Sequence, residues 1–136
     1  MQQELIDYIN AQRAEAIEFS KQPDCWMGMM VDPADTAYWS QRVPSGTLAE
    51  FERIELEESA YYATADAYSK SYARSFDFST MSDAQLEKLV QEAVEEIDAA
   101  IEAEKAYQAI EEKRIAELAS SLSVDVSTLN RWMEAA

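Results

Sequence analysis

Residues Ser82–Ile101 read "SDAQLEKLVQEAVEEIDAAI". Leu86, Val90, Ala93, Ile97 and Ala100 recur in steps of four and three. That spacing makes one apolar seam on an α-helix, with charge on the other sides. Ser82 followed by Gln85 is a capping box, in which each side chain satisfies the other residue's free backbone amide. The seam fades after Ile101, which leaves a long coiled coil open without a strong signal for it.

The same conclusion extends outward in both directions. Both glycines, Gly28 and Gly46, and all three prolines, Pro23, Pro33 and Pro44, fall in the first 46 residues. These residues interrupt regular structure most strongly. Their absence from residues 47–136, together with abundant Ala, Glu and Leu, predicts helices throughout that stretch. Thr47 with Glu50 makes a second capping box, opening a helix expected to run to Arg74 and to bury some of Phe51, Ile54, Tyr61, Tyr62, Ala65, Tyr68 and Tyr72. Upstream, a first helix is expected over residues 3–19, burying Leu5, Ile9 and Ile17. Asp32 before Pro33 predicts the cap of a short helix through Trp39. The predicted fold is all-α: a single-domain helical bundle with a long acidic helix and a C-terminal helix-turn-helix-like hairpin. Residues 1–113 form the acidic body and residues 114–136 the tail, within one compact unit.

Composition excludes several chemistries. The 136 residues hold 27 Asp and Glu against 11 Lys and Arg, a formal charge of −16. Such a charge repels nucleic acid and anionic membranes and attracts basic surfaces. With no histidine, the chain lacks the commonest proton shuttle and metal ligand. Cys25 is the only cysteine, so neither an intrachain disulfide nor a zinc cluster can form. Di-iron helices need a histidine beside their glutamates, and phosphate loops need glycines. No enzyme, metal or cofactor is expected. No apolar run approaches the roughly 20 residues that span a bilayer, and "MQQELIDYINAQRAEAIEF" lacks the basic start and apolar centre of a signal peptide. The expected location is the cytoplasm.

The acidic residues concentrate on the long helix, where Met81 to Lys113 carries ten acids and three bases. Glu87, Glu95, Asp98 and Glu102 lie opposite the seam, with Glu92 and Glu96 beside them. Glu55 and Glu58, with Glu50, Glu52 and Glu57, could supply a second face. Solvated helix surfaces are the usual meaning of such runs. The sharper expectation is a negative surface shaped for a basic, DNA-binding groove. "DCWMGMM" groups Cys25, Trp26, Met27, Met29 and Met30 around a glycine. Core filling is the ordinary role for these side chains, and an adaptable interface is the alternative.

"IAELASSLSVDVSTLNRWM", Ile115–Met133, resembles a helix-turn-helix. Ala119 is small where two helices would cross, Val124 points inward in the turn, and Asp125 caps the second helix. Leu129 and either Trp132 or Met133 would pack inward. Similar modules usually carry glycine where this chain has Ser123. The resemblance implies that Ser127, Thr128, Asn130 and Arg131 face the major groove. Yet the tail from Arg114 onward has two bases against three acids, and phosphate neutralisation supplies most non-specific affinity.

"VDPADTAYWSQRVPSGTLAEFE" and "DAYSKSYARSFDFSTMSDAQLEKLVQEAVEEI" look like small phage-encoded proteins of unassigned function. The combined expectation is a non-enzymatic inhibitor. It would bind the basic surface of a host nucleic-acid-binding protein by DNA mimicry, as anti-restriction and anti-CRISPR proteins do. The alternatives are a small DNA-binding regulator, acting as a homodimer through its tail, and a self-associating assembly protein.

Overall fold

A computed structural model describes residues 1–136. The chain is all-helical, with six α-helices and no strand. Helix α1 spans Gln3–Ser20, α2 Thr36–Arg42 and α3 Leu48–Ala67. Helix α4 spans Lys70–Arg74, and a 3-10 turn covers Phe78–Thr80. Helix α5 runs over Asp83–Ser121 and α6 over Val126–Ala135. The core of the body is Leu5 and Ile9 from α1, Trp39 and Val43 from the α2 region, and Phe51 from α3. Tyr8, Met30, Val31, Leu48 and Ile54 close around it. Phe51 sits between two aromatic neighbours, Tyr8 at 5.7 Å and Trp39 at 5.9 Å between ring centroids.

Three helix starts differ in detail from the sequence reading. Asp35, not Asp32, caps α2 by accepting from the Tyr38 amide. Asp32 instead accepts from the Ala34 amide in the preceding turn. Thr47 caps α3 through the Glu50 amide, but the Glu50 carboxylate accepts from the Ser45 amide rather than returning to Thr47. The capping box is therefore half-formed there. At Ser82 both halves are present. The helix expected to reach Arg74 breaks at Tyr68, and Ser69 restarts it by accepting from the Tyr72 amide. A ladder of rings holds this break: Tyr68–Tyr72 and Tyr72–Phe76 at 5.1 Å each, then Phe76–Phe78 at 5.8 Å. Tyr62, Tyr68 and Tyr72 stay exposed, while Ala60 and Thr64 are the fully buried residues in the middle of α3.

The break lets α5 return alongside α3. Arg53 near the start of α3 meets Asp83 at the start of α5, and Ala67 at the end of α3 shares a groove with Ile97 and Ile101. The two helices therefore run parallel. Leu86 and Ala93 are buried and Val90 and Ile97 half-buried, as the seam requires, but Ala100 is exposed. Helix α5 is about 58 Å long at 1.5 Å per residue, far longer than α3. From Asp98 to Ile110 every residue is exposed. That stretch is supported by its own side-chain pairs, Lys105–Glu102 and Gln108–Glu104, with Arg114–Glu111 just beyond it. Such pairs are how a helix polar on all sides stays helical in water.

Two apolar expectations fail at the surface. Ile17 is exposed, and Ala16 takes the buried place in α1. Trp26 is 81% exposed and stands with Ile17, Met27 and Met29 around an open groove. Of the methionines in "DCWMGMM", only Met30 packs against the core. No helix is long and apolar enough to cross a membrane.

Candidate interaction surfaces

The carboxylates of α5 and those of α3 sit in different electrostatic settings. On α3, Arg42 reaches across from α2 and binds both Glu55, at 2.8 Å, and Glu58, through a two-pronged contact. Hydrogen bonding from Arg42 holds the Glu58 carboxyl below the usual glutamate range and raises the guanidinium in turn. Glu57 bonds Arg53. Glu55 and Glu58 therefore share one cation between them. Glu52 is the α3 acid of this group that has neither an ion pair nor a hydrogen bond of its own.

On α5 the pairing is sparse. Glu92 approaches Lys88 only at 3.8 Å, and Glu102 meets Lys105 at 3.4 Å. Glu95 accepts from the Gln91 amide. Glu87, Glu95, Glu96 and Asp98 have no cation within salt-bridge distance, and all four are exposed. About 100° per residue puts Glu95, Asp98 and Glu102 on the side of the helix away from α3, whereas Glu87 lines a groove with Glu52 and Arg53 of α3. Asp83 to Glu102 spans about 30 Å and holds seven acids and Lys88. The resulting density, about one net charge per 5 Å, is below that of duplex DNA and nearer the one per 3.4 Å of a single strand.

Seven of the eleven cations sit in ion pairs. Arg13 pairs with Asp32, Lys21 with Glu18, Arg42 with Glu55 and Glu58, and Arg53 with Glu57 and Asp83. Lys70, Arg74, Lys113 and Arg131 are the ones that make no ion pair.

The tail forms a helix, a tight turn and a second helix. Leu122 ends α5, and Ser123 takes a left-handed conformation at φ 58°. The Val124 amide reaches back to Ala119 O and the Ser123 amide to Ser120 O, a Schellman closure. Similar modules place glycine at this position because such a φ favours it. Asp125 then accepts from the Thr128 amide at 2.6 Å, and its carboxyl is held below the usual aspartate range by Thr128. Ala119 and Leu129 are buried where α5 and α6 meet, whereas Trp132 and Met133, one of which is expected to pack inward, are both exposed, at 54% and 45%. With only α5 as a neighbour, α6 has one row of apolar residues covered and the rest open. On its polar side, Ser127 and Arg131 are exposed and Asn130 and Thr128 half-buried, with Arg131 donating to the Thr128 hydroxyl. Arg131 is the single cation of α6, flanked by Asp125 and Glu134.

No group of three or more Cys, Asp or Glu side chains is arranged to hold a metal ion. The Arg42 and Arg53 hubs were not legible in the sequence because, apart from Glu57 four residues from Arg53, the acids they bind lie 13 to 30 residues away. No protein-family model, curated protein or solved structure matches the chain.

Proposed function

We propose that the chain is a non-enzymatic, acidic interaction protein that occupies the nucleic-acid-binding surface of a basic protein, using the carboxylates of α5 in place of phosphates. The observation that carries this reading is the contrast between the two acidic regions. Glu55 and Glu58 are taken up by Arg42, whereas Glu95, Glu96 and Asp98 are exposed on α5 with no cation within salt-bridge distance. Unpaired, exposed charges of one sign attract an opposite surface and speed encounter. The anti-restriction and anti-CRISPR roles remain the concrete forms of this proposal, with a phage origin as part of it.

The second reading is DNA binding through α6, and the Schellman turn with its Asp125 cap favours it. One exposed arginine between two acids is a poor source of phosphate contacts. The test is capture by the immobilised protein from nuclease-treated lysate, followed by competition of each captured protein against duplex DNA. Displacement of DNA from a basic protein supports mimicry. Retention of DNA fragments before nuclease, with nothing displaced after it, supports the regulator.

A further inference from the structure

The free half of α5 carries an apolar pattern that its neighbours cover only in part, leaving Ile97 and Ile115 half-buried. Ile101, Gln108, Ile115 and Leu122 recur every seven residues, as do Ile97, Glu104, Glu111 and Leu118. The two rows interleave in steps of three and four, the spacing of a coiled-coil seam. Its ends are apolar and its centre is polar. Ile101, Leu118 and Leu122 are 47%, 38% and 50% exposed. At one end α3 stops at Ala67 and leaves an open groove of about 350 Å³ over Ile97, Ala100 and Ile101.

We infer that a second copy of this chain covers this seam, its α5 pairing antiparallel to the first. In that register Ile97 faces Leu122 of the second copy and Ile101 faces its Leu118, so the tip of each copy fills the groove beyond the other's α3. At the centre Gln108 faces Glu111, an amide donor against a carboxylate, and the two-fold axis repeats the pair. The flanks match as well. Lys105 falls opposite Glu112, which has no cation in its own chain, and Arg114 falls opposite Tyr107, whose ring is 61% exposed. An arginine over an aromatic face is attractive. Lys105 and Arg114 would leave only exposed i,i+3 pairs, which contribute little. Parallel pairing would instead set Glu104 against Glu104 and Glu111 against Glu111. Glu104 against Ile115 is the mismatched layer of the antiparallel pair, which places the dimer at the weak, reversible end of interface strengths. Glu87 and Glu95 lie outside this interface and remain open, whereas Asp98, seven residues before Lys105, falls on its flank, so the pairing is separated from the proposed mimicry by its effect at Lys105 and Glu112, which the mimicry does not use.

Sedimentation equilibrium of the full chain tests it. The average mass should rise with concentration across the micromolar range from 15.4 kDa toward twice that value. Lys105→Glu or Glu112→Lys alone should weaken association roughly three- to tenfold, and the two together should restore it. Circular dichroism checks that each variant stays helical. Ile101→Cys and Leu118→Cys chains, each also carrying Cys25→Ser, should form a disulfide when mixed but not separately. A mass fixed at 15.4 kDa, self-linking of the Ile101→Cys chain, or failure of the double swap to restore association would overturn the pairing.

Discussion

Arg53 and Asp83, thirty residues apart, meet at 2.6 Å and fix where α5 begins beside α3. The same guanidinium bonds Glu57 and donates to the carbonyls of Phe78 and Met81. One planar donor set thus closes the turn that brings the long helix back. Lysine keeps the charge but loses the fork. Arg53→Lys is expected to lower the melting temperature and to raise amide exchange at Phe78–Gln85, with α1 unaffected. Hydrogen exchange read by mass spectrometry checks this, and uniform loss of protection across the chain would show that the contact has no local role.

Thr64 is 1% exposed on α3, and its hydroxyl has no hydrogen-bond partner. A buried, unsatisfied hydroxyl costs free energy that a methyl group of the same shape does not. Thr64→Val should therefore stabilise the fold by about 1 kcal/mol, seen as a higher urea midpoint with unchanged slope. A loss of stability would mean that the hydroxyl finds a partner in solution.

At Gly46, φ is 68°, and a Cβ would fall 2.8 Å from the Met1 Cα. The Gln2 amide also donates to Gly46 O at 2.9 Å, which pins the start of α1 against this turn. Gly46→Ala is expected to cost more than about 1 kcal/mol, because both the backbone and the neighbour must shift. Ser123, at φ 58°, is the opposite case. Ser123→Gly should stabilise the tail by up to about 1 kcal/mol, measured as slower amide exchange in α6.

Acid should loosen the tail through Asp125. Thr128 holds its carboxyl below the ordinary aspartate value in the fold, so the unfolded tail binds the proton more tightly. The cap therefore adds stability above the unfolded value of about 3.9 and loses it as pH falls through the lower folded value. Amides of α6 in the wild-type chain should lose protection below about pH 4. Asn caps without titrating, so Asp125→Asn should flatten this dependence. An identical acid profile in both proteins would assign the effect elsewhere, with Glu58 and Glu111 the next carboxyls held low by arginines.

Local signals in the sequence carried most of the fold. Ser82 and Gln85 lie three residues apart, and their box forms as spaced. The Leu86–Ile97 seam meets α3 because its period matches the helix. What local spacing could not show depended on distant partners. Tyr68 ends α3, and its ring meets Tyr72 edge-on within a ladder reaching Phe78. Glu55 and Glu58 look as free as Glu95 and Asp98 in the sequence, and only the fold brings Arg42 between them. Trp132 and Met133 have the period of a buried row, but no third element arrives to cover them.

The most direct measurement of the central claim compares two variants in one binding assay against the basic protein that the chain displaces from DNA. Glu95→Gln, Asp98→Asn and Glu102→Gln combined alter exposed positions and should shift folding stability by no more than about 0.5 kcal/mol each. Under carboxylate mimicry this triple variant loses partner binding at least tenfold, binding falls steeply with added salt, and Arg131→Ala leaves it unchanged. Full partner binding by the triple variant, with Arg131→Ala abolishing binding to a defined duplex at a cost of about 1 to 3 kcal/mol, would contradict mimicry and establish α6 as a DNA reader.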